Sequence, residues 1–357
     1  MEVRGRLEAA DWSDLLDWGM EPLGGARDAF LQSCSALAAQ DAWKSVCSAA
    51  AQLPAQASDE ELRAFFEIWF TPYRVINADG SVNGLVTGYY EPLLNGSRSR
   101  TGRYRYPLYA VPDDLLTIDL SNVYPELKNR RLRGRLDGNR VVPYLSREEI
   151  ESPQQPLKGK ELVWVDDAVD AMFLHIQGSG QVQLDNGDVM RVGYADQNGF
   201  PFRSVARYLI SNRQLRPEHA SMQGIKAWAT RHPKKLEAFL NYNPSYVFFR
   251  ELPLNLPGPL GTLQVPLTAE RSIAVDPRVV PLGVPVYLST TWPNSDRPLN
   301  RLMVAQDTGG AIAGAVRADF FWGFGEQAGR LAGTMKQSGR MWVLLPKDYM
   351  PEQRTGN

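Results

Sequence analysis

Apolar residues recur at two different periods along this chain, and the change of period separates helical from strand-forming stretches. In SDEELRAFFEIWF (residues 58–70) the positions Leu62, Phe65, Phe66 and Trp69 fall on one face of a helix. Ser58 and Glu61 have capping-box spacing ahead of them, which predicts a helix start and places Trp69 and Phe70 in a core. The rest of residues 1–70 reads as mainly helical. GLVTGYYEPLL (84–94) is rich in β-formers and stops at Pro92, as a strand does. Tyr89 and Tyr90 then point to opposite faces, so one packs while the other can meet a ligand. Residues 95–106, NGSRSRTGRYRY, turn polar and basic and read as a crossover between domains. VVPYL, LVWVD, AMFLHIQGSG and VQLDNGDVMRVGYA read as further strands, the last with a hairpin at Asn186 and Gly187. Helical periodicity returns in SVARYLISN and across 221–243, where Pro233 opens a new helix. SIAVDP, VPVYLST and RLMVAQD alternate with Pro- and Gly-rich turns, a spacing that suggests an all-β barrel.

The chemistry concentrates in residues 301–325, RLMVAQDTGGAIAGAVRADFFWGFG. Leu302 to Ala305 form an apolar run ending near a Gly pair, which is what a buried strand feeding a tight turn needs. Asp307 stands at the end of that strand. Asp319 follows among Phe320, Phe321 and Trp322, surroundings that favour the neutral carboxyl. Gly309 and Gly310 allow close approach of a backbone or ligand and suit the floor of a groove. An Asp beside a Gly pair is also ordinary turn chemistry, and spacing alone does not separate the two readings.

Composition narrows the classes. A chain of 357 residues with 43% hydrophobic and 22% charged positions is globular and long enough for two domains. Its formal net charge of -1 gives no general pull toward nucleic acid or membrane. The basic block KNRRLRGRL (128–136) is the strongest argument for nucleic acid, yet the alternation Arg131, Leu132, Arg133 fits the solvated face of a strand, so no nucleic-acid partner is expected. No apolar run approaches the roughly 18–20 residues of a membrane span, and MEVRGRLEAAD lacks a signal-peptide core; the bare reading is cytoplasmic. With three histidines and no CxxC or HxxxH spacing, no metal or other cofactor is expected. The two cysteines, Cys34 and Cys47, lie in segments that read as a helical hairpin broken at Gln40 and Asp41, with Asp41 capping the second helix. That hairpin brings the sulfurs near each other; a disulfide and two reduced core thiols are both open.

DTGGAI, the Asp-aromatic pair at Asp319, GFGEQAGRLAG and the GRMWVLLP ending together resemble the C-terminal signature of the membrane-bound lytic murein transglycosylase A family. GYYEP, FLHIQGSG, YADQNG and NPSYVFFRE resemble further blocks in the family's order, from about Thr71 to Pro346. The resemblance implies a mainly β fold with N-terminal and peripheral helices. A double-psi β-barrel domain would be built from residues 1–99 and 244–357, and an inserted β-domain, 100–243, would form the other wall of a glycan groove. It implies cleavage of peptidoglycan strands with Asp319 catalytic and Asp307 supporting. Tyr90, Glu91, Gln177, Ser179, Tyr194, Asn198, Gly309 and Gly310 would then bind substrate. Some relatives carry His-Phe where this chain has Arg317-Ala318, so help from a histidine is not expected. The family's substrate lies outside the inner membrane, which implies a periplasmic, outer-membrane-attached protein whose export signal or anchor is absent from this sequence. Two rival classes remain on sequence: a non-catalytic expansin-like glycan-binding protein, and a hydrolase that pairs Glu91 or another carboxylate with Asp319.

Overall fold

The structure, a computed structural model, describes residues 5–127 and 132–349. Lys128, Arg130 and Arg131 of the basic block lie outside the described residues. The chain divides into two compact units, one formed by Met1–Tyr90 with Pro257–Asn357 and the other by Glu91–Leu256.

In chain order the first unit opens with β1 (Gly5–Ala9), α1 (Ala26–Leu37), α2 (Asp41–Gln52), α3 (Asp59–Trp69), β2 (Phe70–Asn77) and β3 (Gly84–Glu91). The second holds β4 (Leu93–Ser97), β5 (Tyr106–Tyr109), β6 (Leu116–Thr117), β7 (Arg133–Asp137), β8 (Arg140–Val142), α4 (Arg147–Ile150), β9 (Glu161–Val165), α5 (Ala168–Gln177), β10 (Ser179–Leu184) and β11 (Val189–Gln197). It is completed by α6 (Val205–Ser211), α7 (Met222–Arg231), α8 (Leu236–Asn241) and β12 (Val247–Leu252). The chain then returns to the first unit with β13 (Ser272–Val275), β14 (Pro285–Thr291), β15 (Pro298–Asp307), β16 (Arg317–Phe324), α9 (Gly325–Thr334) and β17 (Lys336–Pro346).

The result is a mixed α/β fold with several sheets. The first unit carries a sheet ordered β1-β2-β17-β14-β15-β13-β16-β3, in which β3 also pairs with β17. The second carries β12-β11-β10-β4-β9-β5 and a three-stranded β6-β7-β8. Strands β4 and β12 thus pair within the second unit, and the return to the first comes at Pro257.

The capping box forms as the spacing predicts: Ser58 N donates to Glu61 Oε2 at 2.8 Å and Glu61 N to Ser58 Oγ at 3.2 Å. Leu62, Phe65, Phe66 and Phe70 are buried in the larger core, with Trp69 packed on its edge. Three expectations are corrected. Residues 5–9 form a strand paired with β2, in a region read as mainly helical. Asp41 is the first residue of α2 and Gln40 its N-cap, so Asp41 acts on the helix through its charge in the first turn. AMFLHI belongs to a helix, since a short buried apolar run has the same composition in either element. The local signals decided it: Asp167 Oδ1 accepts from Val169 N at 2.8 Å and Asp170 N at 2.9 Å, and Gly178 closes the helix at φ 81°.

Cys34 on α1 and Cys47 on α2 are bonded, with sulfurs 2.10 Å apart and a sequence separation of 13. In the chain-entropy picture so short a loop contributes about 3 kcal/mol. Replacing both cysteines by Ser is expected to lower the thermal midpoint by roughly 5–10 °C in calorimetry, and reduction of the native protein should give a similar shift. An unchanged midpoint would contradict this.

Candidate active site

Strand β13 runs through the middle of the site. It pairs in parallel with β15 and antiparallel with β16, so Ala274 stands opposite Asp307 on one side and Asp319 on the other. The two carboxyls therefore occupy one level of the sheet, with Cα atoms two strand spacings or about 10 Å apart and the small side chain of Ala274 between them. Alternation along β16 separates its functions. Ala318, Phe320 and Trp322 enter the main core, whereas Asp319 and Phe321 face the other way. On that second face Tyr89, Leu267, Ala274, Ile312 and Phe321 form a small buried cluster, in which the Tyr89 and Phe321 rings are 5.1 Å apart.

Asp319 is largely enclosed, and burial pushes its pKa up to about 6; the Thr87 hydrogen bond and the Arg317 charge pull it down, and Asp307 adds a smaller upward push. Thr87 on β3 donates its hydroxyl proton to Asp319 Oδ1 at 2.5 Å. Asp307 is held differently. Its Oδ1 accepts from Thr262 N, Thr262 Oγ1 and Thr308 N, each at 2.9 Å, and its Oδ2 accepts from the Tyr89 hydroxyl at 3.2 Å. Burial raises its pKa while these donors lower it. The net effect is a raised pKa, because burial outweighs the donors. The two carboxyls thus share a raised pKa but differ in their partners, one hydroxyl donor on Asp319 against four donors on Asp307.

The sequence-predicted residues distribute unevenly. Asp307, Gly309 and Gly310 lie at the end of β15 and the turn after it; a Cβ on Gly309 would meet Ile312 at 2.7 Å, while Gly310 has open space. Of the two tyrosines it is Tyr89 that bonds Asp307. The Tyr90 ring lies against α9, where a Cβ on Gly329 would come within 2.9 Å of it. In the second unit, Gln177 ends α5, Ser179 opens β10 opposite Gly193, and Tyr194 follows on β11 near Gly178. These three gather around one helix-to-strand corner. Glu91 and Asn198 depart from the expectation of sugar contact. Glu91 is 1% exposed, ion-paired to Arg191 at 3.1 Å, and accepts from Gln181 Nε2 at 3.2 Å. Asn198, also 1% exposed, donates through Nδ2 to Leu145 O and Pro244 O at 2.8 Å and accepts from Tyr246 N at 2.9 Å, clamping loops to β12. A buried ion pair and a saturated amide are structural anchors. Thr87, Tyr89 and Thr262 were not among the residues predicted for the site. Only the alternation of GYYEP pointed toward Tyr89, and nothing local marks either threonine.

Two enclosed carboxyls level with each other across one small residue are suited to acid/base chemistry. Comparison with known proteins shows the family. The chain matches the MltA specific insert domain over residues 85–250 and the 3D domain over residues 271–345. It is 31% identical over 280 residues to the membrane-bound lytic murein transglycosylase A of Escherichia coli (strain K12), covering 76% of this chain and 68% of that one. A crystal structure of MltA from Neisseria gonorrhoeae superposes with a TM-score of 0.83 at 39% identity, over 98% of this chain and 94% of the other. E. coli MltA with bound chitohexaose gives a TM-score of 0.72 at 25% identity, over 96% and 95% of the two chains. The chain belongs to the membrane-bound lytic murein transglycosylase A family.

Proposed function

We propose that this protein is a peptidoglycan lytic transglycosylase, which cleaves the β-1,4 bond between N-acetylmuramic acid and N-acetylglucosamine and leaves a 1,6-anhydromuramyl end. Asp319 is the single acid/base. As the acid it gives its proton to the glycosidic oxygen leaving C1 of the muramyl residue. As the resulting carboxylate it takes the proton of that residue's 6-hydroxyl, whose oxygen bonds to C1. Because the nucleophile belongs to the same sugar, its effective concentration is high and no second catalytic base is required. Asp307, in its carboxylate form and bonded by four donors, supports the positive charge that develops at C1.

The observation that carries this reading is Asp319 itself, enclosed beside Phe321, raised to about pKa 6, and level with Asp307 across Ala274. A group with that pKa is available as an acid near neutral pH and as a base after proton transfer. The strands β3, β17, β14, β15, β13 and β16 pair in a ring, which supports reading this sheet as a double-psi β-barrel. On that reading the first unit is the catalytic domain, the second the inserted domain, and Gln177, Ser179 and Tyr194 are its contribution to glycan binding.

No helix among the described residues is long and apolar enough to cross a membrane. The E. coli relative is named membrane-bound. From the family membership, and not from the absence of a spanning helix, we infer a periplasmic protein held to the outer membrane through an N-terminal anchor. Digestion of purified sacculi followed by mass spectrometry tests the function. The account expects soluble muropeptides lighter by one water than hydrolytic products, whereas binding with no soluble product would favour a glycan-binding protein.

A further inference from the structure

Arg317 and Asp319 project from the same face of β16, and Thr87 of β3 stands between their functional groups. Arg317 Nη2 donates to Thr87 Oγ1 at 2.9 Å, and Thr87 Oγ1 donates to Asp319 Oδ1 at 2.5 Å. Two backbone carbonyls hold the guanidinium in place: Arg317 Nη1 donates to Ala318 O at 2.5 Å and Leu85 O at 3.3 Å, from β16 and β3 respectively. We propose that Arg317 and Thr87 form a one-way hydrogen-bond relay that keeps Oδ1 of Asp319 an acceptor and so confines the transferable proton to Oδ2. The proposal rests on Asp319 being the catalytic acid.

The direction follows from donor and acceptor inventories. A guanidinium has donors only and keeps its charge in proteins, so the Thr87 oxygen must be the acceptor in its bond with Arg317. A hydroxyl has one proton, and the geometry points that proton at Asp319 Oδ1. A carboxyl oxygen receiving such a bond cannot carry the acid proton at the same position without a clash between two hydrogens. The neutral acid therefore carries its proton on Oδ2. The arginine's positive charge on one side of Thr87 Oγ1 favours the hydroxyl proton on the Asp319 side; without it that bias is lost, and Oγ1 more readily accepts from a protonated Oδ1, leaving the proton on the wrong oxygen for transfer. Arg317 and Thr87 are thus positioning residues.

The groups that set the charge around Asp319 are few. They are Arg317 on its own strand, Thr87 and Tyr89 from β3 and Asp307 from β15, with β13 presenting the uncharged Ala274. Both relay members favour the carboxylate form of Asp319. Removing either raises its pKa, and because the acid form starts the reaction, the alkaline fall in rate moves to higher pH.

The test compares the full chain carrying Thr87→Val, Thr87→Ser, Arg317→Met or Asp319→Asn with the unsubstituted protein. Rates of sacculus digestion are followed across pH, with thermal unfolding and sacculus pelleting as checks on fold and binding. Thr87→Val is expected to shift the alkaline limb up by about one pH unit and to lower kcat roughly tenfold at unchanged KM. Thr87→Ser, which keeps the hydroxyl, restores both. Arg317→Met shifts the limb in the same direction with a smaller loss of kcat. An unshifted limb and unchanged kcat in Thr87→Val, or equal impairment of the Ser and Val variants, overturns the relay while leaving Asp319 as the acid if Asp319→Asn is inactive. Turnover by Asp319→Asn would instead overturn the function reading on which the relay rests.

Discussion

Replacing Asp319 with Asn should remove turnover, by at least about a thousandfold, while leaving fold and glycan binding intact. An amide cannot give a proton to the leaving oxygen, and Asp307 has both oxygens occupied by Thr262, Thr308 and Tyr89. Sacculus turbidity measures the loss, and retention of a tenth of the original rate would remove Asp319 from its role. The same variant should be more stable than the parent at pH 7. The folded pKa of about 6 lies above the ordinary aspartate value of 3.8, so the native state holds this proton more tightly than the unfolded chain. That contribution is full below about pH 4 and is lost as pH rises through 6, leaving an enclosed, unfavourable carboxylate at neutral pH. Removing it should stabilise the protein by about 1–2 kcal/mol, with the difference vanishing at acid pH. A site that costs stability in order to keep an acid protonated is what a catalytic carboxyl requires.

Asp307→Asn should be the next most damaging change, lowering kcat roughly a hundredfold. An Asn side chain can keep its oxygen toward the Thr262 and Thr308 donors and its NH2 group toward Tyr89, whose hydroxyl turns from donor to acceptor, so the negative charge is what the substitution removes. Its effect on pH dependence separates it from the relay variants. The Asp307 charge raises the pKa of Asp319, so removing that charge moves the alkaline limb downward. Losses equal to those of Asp319→Asn, with no movement of the limb, would contradict a supporting electrostatic role.

How far the sequence predicted this arrangement depends on whether the signal was local. The α3 capping box, the β3 strand and the loop at Asn186 and Gly187 between β10 and β11 are each written within a dozen residues, and each is found where expected. Asp307 and Asp319 could be picked out because they share one motif-bearing stretch. Thr87 could not, since it reaches Asp319 across 232 positions and a threonine in a strand rich in β-formers carries no mark of its own. Glu91 and Asn198 were read as sugar contacts for the opposite reason. A polar side chain near a motif looks the same in sequence whether it meets a ligand or, as here, Arg191 and the backbone around Tyr246. The helix at Ala168–Gln177 was lost to an apolar run, although Asp167 and Gly178 bracket it as cap and stop.

The buried Glu91 also bears on the hydrolase alternative. Engaged by Arg191 and Gln181, it is not available to activate a water, and Asp307 is the remaining carboxylate that could do so. The choice between internal attack and water therefore turns on the new chain end. Digesting peptidoglycan in heavy-oxygen water measures it directly. If the 6-hydroxyl is the nucleophile, the ends are 1,6-anhydromuramyl residues carrying no label; reducing muramic acid with heavy oxygen at C1 as the main product would contradict the mechanism.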